Sequence, residues 1–409
     1  MMNLIIIDED SRINGIGTYL RDIILIFKQI VAVIYRINHN NTLDVFSVKK
    51  NDEIITFSFS SRLLESYNKI IDKFLGLYIA DSKQNLFMLN YTPCEDLIRT
   101  LKRRFPLSKI VFTVHDLCWT TPLMGDIDKL KYMVSTGFCK ESGKEGIDNI
   151  SKVFMEEKHM FQLSDAVIVL AGGTRRVLTE IYGIDPKKIH LIPNGLQDAY
   201  KPVSRERKQE IRAEKFLSGH EKILLFAGRV HYMKGVYSLI RSFSQVLQIY
   251  PECRLVIAGF LLDPPKVLSL TGNAASKIIF TGQIPKKELD EWISITDIGI
   301  LPSYTEQCCY WGIELMMHGV PVITTDGFNL QEMFTEGYNA GIVKIGNREE
   351  PEKFEHELAD EIIRLLHNDA ECRKLGEQGR KVYETRYTVK SMYTGYKMLT
   401  DTLFLNVNK

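Results

Sequence analysis

Residues Asp297–Thr325 read DIGILPSYTEQCCYWGIELMMHGVPVITT. An apolar run of strand length, DIGILPS, gives way to a short polar and small-residue stretch. A helical segment around GIELMMHG follows, and then a second apolar run, VPVITT. Strand, loop, helix, strand is the pattern of a parallel βαβ unit. The unit carries two carboxylates, Glu306 in the loop and Glu314 in the helix, with seven residues between them. Most of their neighbours are apolar, small or aromatic. A buried, unpaired glutamate is costly, so each acid needs a partner.

The same alternation extends in both directions. Upstream, KILLFAGRV, CRLVIAGF and KIIFTG read as short strands separated by helical segments such as GVYSLIRSFSQVLQIY. Downstream, AGIVKI ends the strand series, and two helices and a further C-terminal helix follow. The first half begins with the strand NLIII and the turn-and-helix SRINGIGTYLRDI. LDVFSV and EIITFSF read as strands, RLLESYNKIIDKFLGLY as a helix, and NLFMLNY, KIVFTVHD, AVIVL and KIHLIPNG as further strands. The run IILIFKQIVAVIYRI is too short to span a bilayer and reads as one largely buried helix. Cys118 to Ile150 is less regular and reads as an inserted segment. Repeated βα units predict an α/β protein with parallel, doubly wound sheets covered by helices on both faces. Gly, Pro and charge interrupt the pattern near NGLQDAYKPVSRER. The expected organisation is therefore an N-terminal Rossmann-like domain over 1–197, a second over 198–387, and a C-terminal helix over 388–409 crossing back to the first. Two such domains would face a central cleft at the carboxyl ends of their strands, where open α/β sheets bind ligands.

A chain of 409 residues is long for one core, and its 45% hydrophobic and 25% charged residues are those of an ordinary globular protein. With 52 basic against 51 acidic residues there is no global field for nucleic acid, although local basic patches leave room for peripheral contact with a membrane surface. The seven cysteines form no C-x-x-C pair, which argues against a zinc site or a disulfide framework and for reduced thiols in a cytoplasm. The N-terminal apolar run is too short for a signal peptide.

Several residues fall at predicted strand ends. FAGRVHYMKG places Arg229 and Lys234 between a strand and the next helix. Two cations beside free helix N–H groups suit a diphosphate, although two solvated basic residues in a loop would look the same. TVHDL places His115 just past a strand, as a ligand-binding or a purely structural histidine. NGIG is a glycine turn in which Gly15 and Gly17 let a backbone N–H approach an acceptor or phosphate; a plain tight turn has the same appearance. Of the two acids, Glu306 is placed to grip sugar hydroxyls and Glu314 a ribose diol, since carboxylates accept from hydroxyls and discriminate against ligands lacking them. The competing reading is a capping acid and an incidental buried glutamate.

NGIGTYL, TVHDL, SDAVIVLAGGTRRVL, KKIHLIPNGL, FAGRVHYMKGVYSLIRSF, LVIAG, IIFTGQI, LQEM and the opening stretch together resemble the retaining glycosyltransferases of family 4, glycosyl transferases group 1, with the GT-B fold. The resemblance spans nearly the whole chain, and the two acids match the family's E-x7-E motif. It implies transfer of a sugar from a UDP- or GDP-sugar donor to an acceptor hydroxyl on a glycan, lipid or peptide, with retention of configuration and without a cofactor or metal. By the same resemblance Arg229 and Lys234 neutralise the diphosphate, Glu306 contacts the donor sugar and Glu314 the ribose. His115 lies near the sugar, and Glu332 matches a further acid. The expected location is the cytoplasm, with peripheral contact at the inner membrane face. Gln307, Cys308 and Cys309 replace the family's Gly-Phe-Gly-like segment, and Ala171 replaces a serine. DED (Asp8–Asp10) and DID (Asp126–Asp128) match the D-x-D string of metal-dependent transferases, but so short a string arises by chance. A nucleotide-sugar epimerase or hydrolase on the same fold, or a silent partner of an active transferase, are the other readings.

Overall fold

The computed structural model describes residues 2–9, 15–40, 46–51, 54–60, 71–90, 95–138 and 147–404. The chain divides into two compact units, Met1–Gly195 with Val389–Lys409, and Leu196–Thr388.

The first unit is built on a sheet centred on β1 (Met2–Glu9), whose Leu4 to Ile7 are almost fully buried. β1 pairs in parallel with β2 (Val31–Asn40) on one side and β5 (Asn85–Leu89) on the other. With β3 (Ser47–Asn51), β4 (Ile54–Ser60), β6 (Lys109–Val114), β7 (Ala166–Val169) and β8 (Ile189–Leu191), the sheet order is β3-β4-β2-β1-β5-β6-β7-β8. All neighbours are parallel except the β3–β4 pair, which is antiparallel. The central strands β1, β5, β6 and β7 run apolar, as strands of a sheet covered on both faces do, whereas the edge strand β3 is polar and exposed.

Two expectations need correction here. Ile23–Ile37 is not one helix. The helix Gly15–Phe27 stops, Lys28–Ile30 turns, and Val31 onward is β2. An apolar run does not distinguish a buried helix from a buried strand. The β-branched Val31, Val33, Ile34 and Ile37 suit the strand. Cys118–Ile150 also has more order than expected, for it holds the helix Ile127–Ser135. Asp126, read above as half of a D-x-D string, is the N-cap of that helix. Its carboxylate accepts from the N–H groups of Asp128 (3.1 Å) and Lys129 (2.9 Å). Asp10, Asn14, Leu43–Val45, Arg62–Ile70, Cys94 and Cys139 lie outside the described residues.

The helix Val389–Phe404 completes the first unit. Its Tyr396 ring lies edge-on to Phe27 at 5.5 Å, and its hydroxyl bonds that of Tyr19. Gly395 abuts Ile192 so closely that a Cβ would sit 2.8 Å from the isoleucine side chain. The chain therefore returns to the unit in which it began.

A buried acid stands among polar neighbours under the β6 loop. Glu157, 2% exposed, accepts from the Cys118 N–H (2.8 Å) and from the Tyr182 hydroxyl (2.6 Å), near Asp116. Burial pushes its carboxyl up to about 7, against the pull of those hydrogen bonds. An unfolded glutamate titrates at about 4.3, so stability from this group is full below that pH and is lost as pH rises through about 7, roughly 4 kcal/mol in all. Glu157→Gln keeps an acceptor for Cys118 and is expected to flatten the fall in melting temperature between about pH 5 and 8. A pH profile parallel to that of the parent protein would refute this.

In the second unit β9 (Lys222–Ala227), β10 (Cys253–Ala258), β11 (Ile278–Gly282), β12 (Ile298–Leu301), β13 (Val322–Thr325) and β14 (Gly341–Val343) form a wholly parallel sheet in the order β11-β10-β9-β12-β13-β14. Counted within the unit this is 3-2-1-4-5-6, the doubly wound order whose switch point lies between β9 and β12. The stretch read as a boundary runs into the first turn of a helix, Arg205–Glu214, with Ser204 as its cap (3.2 Å to the Arg207 N–H). Among the described residues no helix is long and apolar enough to cross a membrane.

Candidate functional site

At the switch point the loops after β9 and β12 meet. The β9 loop carries Arg229, His231 and Lys234 and ends at Gly235, which starts the helix Val236–Ile249 with φ +66°. The β12 loop carries Ser303 and Glu306. A backbone bond from the Tyr304 N–H to the Met233 carbonyl (3.0 Å) ties the loops together. The β12 loop is also held from β13, by Glu306 N–H to Phe328 O (3.1 Å) and Asn329 Nδ2 to Glu306 O (2.9 Å).

This stitching brings Lys234 Nζ to 2.6 Å from Glu306 Oε1, across 72 residues of chain. The same oxygen accepts from the Ser303 hydroxyl at 2.8 Å. Burial alone would lower the Lys234 ammonium, but the Glu306 carboxylate outweighs it and the net shift is upward. Arg229 is exposed and has no ion-pair partner among the described residues. The arrangement is a half-buried cation neutralised by an acid, with a second cation free beside it.

Glu314 lies on the helix Tyr310–Met317, where Lys286 Nζ stands 3.3 Å from its Oε1. Lys286 also bonds Asp290 at 2.6 Å. Burial pushes the Glu314 carboxyl up and Lys286 restrains it, leaving a net rise. His318, at the end of the same helix, stands 3.5 Å from Asp290. Burial lowers its imidazole to about 4.

Gln307 and Cys308 are buried and Cys309 is half-buried, so the substituted segment packs its side chains into the loop. Burial drives the Cys309 thiol well above its ordinary range, which keeps it protonated. Glu332 sits half-buried on Leu330–Met333, and its carbonyl accepts from the Tyr387 hydroxyl at 3.3 Å.

The remaining candidates belong to the first unit. Gly15 and Gly17 lie in the first turn of the helix Gly15–Phe27 rather than in a turn before it. His115 follows β6 and bonds Asn90, which follows β5, with Nε2 3.2 Å from Asn90 Oδ1. The Tyr19 ring stands edge-on to it at 4.6 Å, and burial lowers the imidazole to about 4. Sequence reading missed Asn90, Ser303, Lys286 and Asn329. Asn90 had a usable signal, a polar residue immediately after an apolar strand. The others depend on strand order.

Residues 207–382 match the family model described as glycosyl transferases group 1. The chain is 23% identical over 235 residues to alpha-maltose-1-phosphate synthase of Mycolicibacterium smegmatis, covering 55% of this chain and 60% of that protein. It is 30% identical over 188 residues to mannosylfructose-phosphate synthase of Agrobacterium fabrum, covering 43% and 41%. These matches thus span about half the length of the curated relatives. Among solved structures, sucrose-phosphate synthase from Thermosynechococcus elongatus superposes with a TM-score of 0.76 at 20% identity over 99% of this chain and 100% of that one. Anabaena HepE, crystallised with UDP and glucose, gives 0.71 at 13% identity over 98% and 100%. The fold is that of the GT-B glycosyltransferases, and residues 207–382 of the second unit are similar to the glycosyl transferases group 1.

Proposed function

We propose that the protein transfers a sugar from a nucleotide diphosphate sugar, UDP- or GDP-linked, to an acceptor hydroxyl, with retention of configuration. The observation that carries this reading is the Lys234–Glu306 pair, 2.6 Å apart at the switch point, with exposed Arg229 beside it. Negative charge develops on the departing diphosphate as the sugar–oxygen bond breaks. Fixed cations stabilise that charge, so Lys234 and Arg229 would meet the phosphates. Glu306, held by Ser303 and by the backbone, would bind the sugar hydroxyls, and Glu314 the ribose diol. The departing phosphate takes the acceptor's proton, and no protein general base is assigned. Cations in the place of a divalent ion make the reaction metal-independent in this reading.

The Gly15–Gly17 helix start would offer N–H groups to a phosphate or acceptor, and Glu332 would flank the nucleotide. The five described cysteines are free thiols, which supports action in the cytoplasm. The acceptor would be a glycolipid, a polysaccharide or a peptide, and a lipid acceptor would bring the protein to the inner membrane face. Incubation with labelled nucleotide sugars tests the reading. Release of nucleotide supports an enzyme, and binding without turnover at any donor overturns it.

Glu314→Gln is expected to raise the donor KM and weaken binding of free UDP or GDP, with little loss of kcat. The ribose does not change during reaction, so the interaction is uniform binding. Equal loss in kcat with unchanged KM would refute the ribose role.

A further inference from the structure

We propose that Asn90 is a positioning residue that fixes the tautomer of His115, so that the ring carries its proton on Nε2 and offers Nδ1 as an acceptor to a hydroxyl of the substrate. The hydroxyl rests on the glycosyl-transfer reading; the tautomer does not.

β5 and β6 are parallel neighbours, with Leu89 opposite Phe112, so residues just past their carboxyl ends stand side by side. Asn90 is 3% exposed. Its backbone N–H donates to the Ile7 carbonyl (3.1 Å), which fixes the main chain. Its Nδ2 faces the Met88 carbonyl at 3.5 Å. A carbonyl only accepts, so the amide nitrogen must be on that side and the amide oxygen on the side of His115, 3.2 Å from Nε2. An amide oxygen also only accepts, so the ring nitrogen facing it must carry hydrogen.

The ring is neutral at ordinary pH because it is buried. A neutral imidazole with its proton on Nε2 has a lone pair on Nδ1. No hydrogen bond to Nδ1 is present among the described residues. The ring plane is fixed by Tyr19, whose hydroxyl bonds Thr113 (3.1 Å) and Tyr396. The next acid in the chain, Asp116, is turned away, accepting from the Leu117 N–H (2.9 Å) and the Thr120 hydroxyl. A lone pair cannot bind a phosphate oxygen, which is itself an acceptor. The partner of Nδ1 must therefore be a donor, and a sugar or acceptor hydroxyl has that chemistry.

Two-bond proton–nitrogen correlation spectra of the ¹⁵N-histidine-labelled full chain read the tautomer directly, with His115→Gln identifying the signals. The expected result at neutral pH is a single Nε2–H tautomer for His115 in the free protein. Asn90→Leu should mix the tautomers and slow hydrolysis of UDP-glucose or GDP-mannose about tenfold, the scale of one lost hydrogen bond to the substrate, with UDP and GDP binding unchanged. Asn90→Asp, of the same shape, should raise the imidazole pKa and move the acid limb of the hydrolysis profile upward. An Nδ1–H tautomer in the parent protein overturns the proposal, as does an Asn90→Leu protein with the parent tautomer and profile. If no nucleotide sugar is turned over, the glycosyl-transfer reading fails, while the spectra still decide the tautomer.

Discussion

Glu306→Gln is expected to lower turnover by on the order of 10²–10³, about 3–4 kcal/mol, while binding of UDP or GDP holds or tightens. The carboxylate would grip a sugar whose position must be maintained as its bond to the phosphate stretches. Interactions that strengthen toward the transition state appear in kcat rather than KM. The second half of the expectation comes from the ion pair. In the free protein Glu306 neutralises Lys234 at 2.6 Å, and removing that charge leaves the ammonium half-buried with only the ligand to answer it. A diphosphate is such a ligand. A structural glutamate behaves differently, because losing one partner of a buried pair destabilises the fold by ~3–5 kcal/mol without separating kcat from KM. Turnover and nucleotide titration on the same preparation, with its melting temperature, distinguish the cases. Parent-like turnover in a folded Glu306→Gln protein would remove the acid from the chemistry.

Gly235→Ala should destabilise the second unit by about 3 kcal/mol or more, lowering its melting temperature by roughly 6–12 °C. Gly235 has φ +66°, where an L side chain is strained. An added Cβ would stand 1.8 Å from the Pro302 carbonyl oxygen and 2.6 Å from its carbon. These are backbone atoms of the β12 loop, so the clash cannot be relieved by a rotamer change. Because Gly235 follows Lys234 and Pro302 precedes Ser303, moving either loop also separates the Lys234–Glu306 pair. Donor KM should rise even at temperatures where the variant stays folded. A melting temperature within a degree or two of the parent would show that the loops yield easily.

Much of the site's composition can be read along the chain. The apolar run of β12, the polar loop and the helix around Glu314 follow one another as local periodicity dictates, and the structure places Glu306 in the loop and Glu314 on the helix. Local pattern fails where two structures share one pattern. Ile23–Ile37 is apolar apart from Lys28, Gln29 and Arg36, and only packing decides that Val31 leaves the helix to pair with β1. It fails also where polar residues look like a linker, as at Arg205–Arg207, the first turn of a helix that is held by Ser204 and by Arg207 with Glu214 (2.7 Å).

By itself the sequence determined the strand and helix alternation, the two α/β units and the residue types at strand ends, since these depend on side-chain period and turn chemistry over a few residues. Only the tertiary structure decided which strand ends are neighbours. Placing β9 beside β12 joins Lys234 to Glu306, and placing β5 beside β6 joins Asn90 to His115. The packing of the second unit likewise sets Lys286 against Glu314. Those distances depend on sheet order and register, which emerge from burying every apolar face at once and which no local stretch encodes.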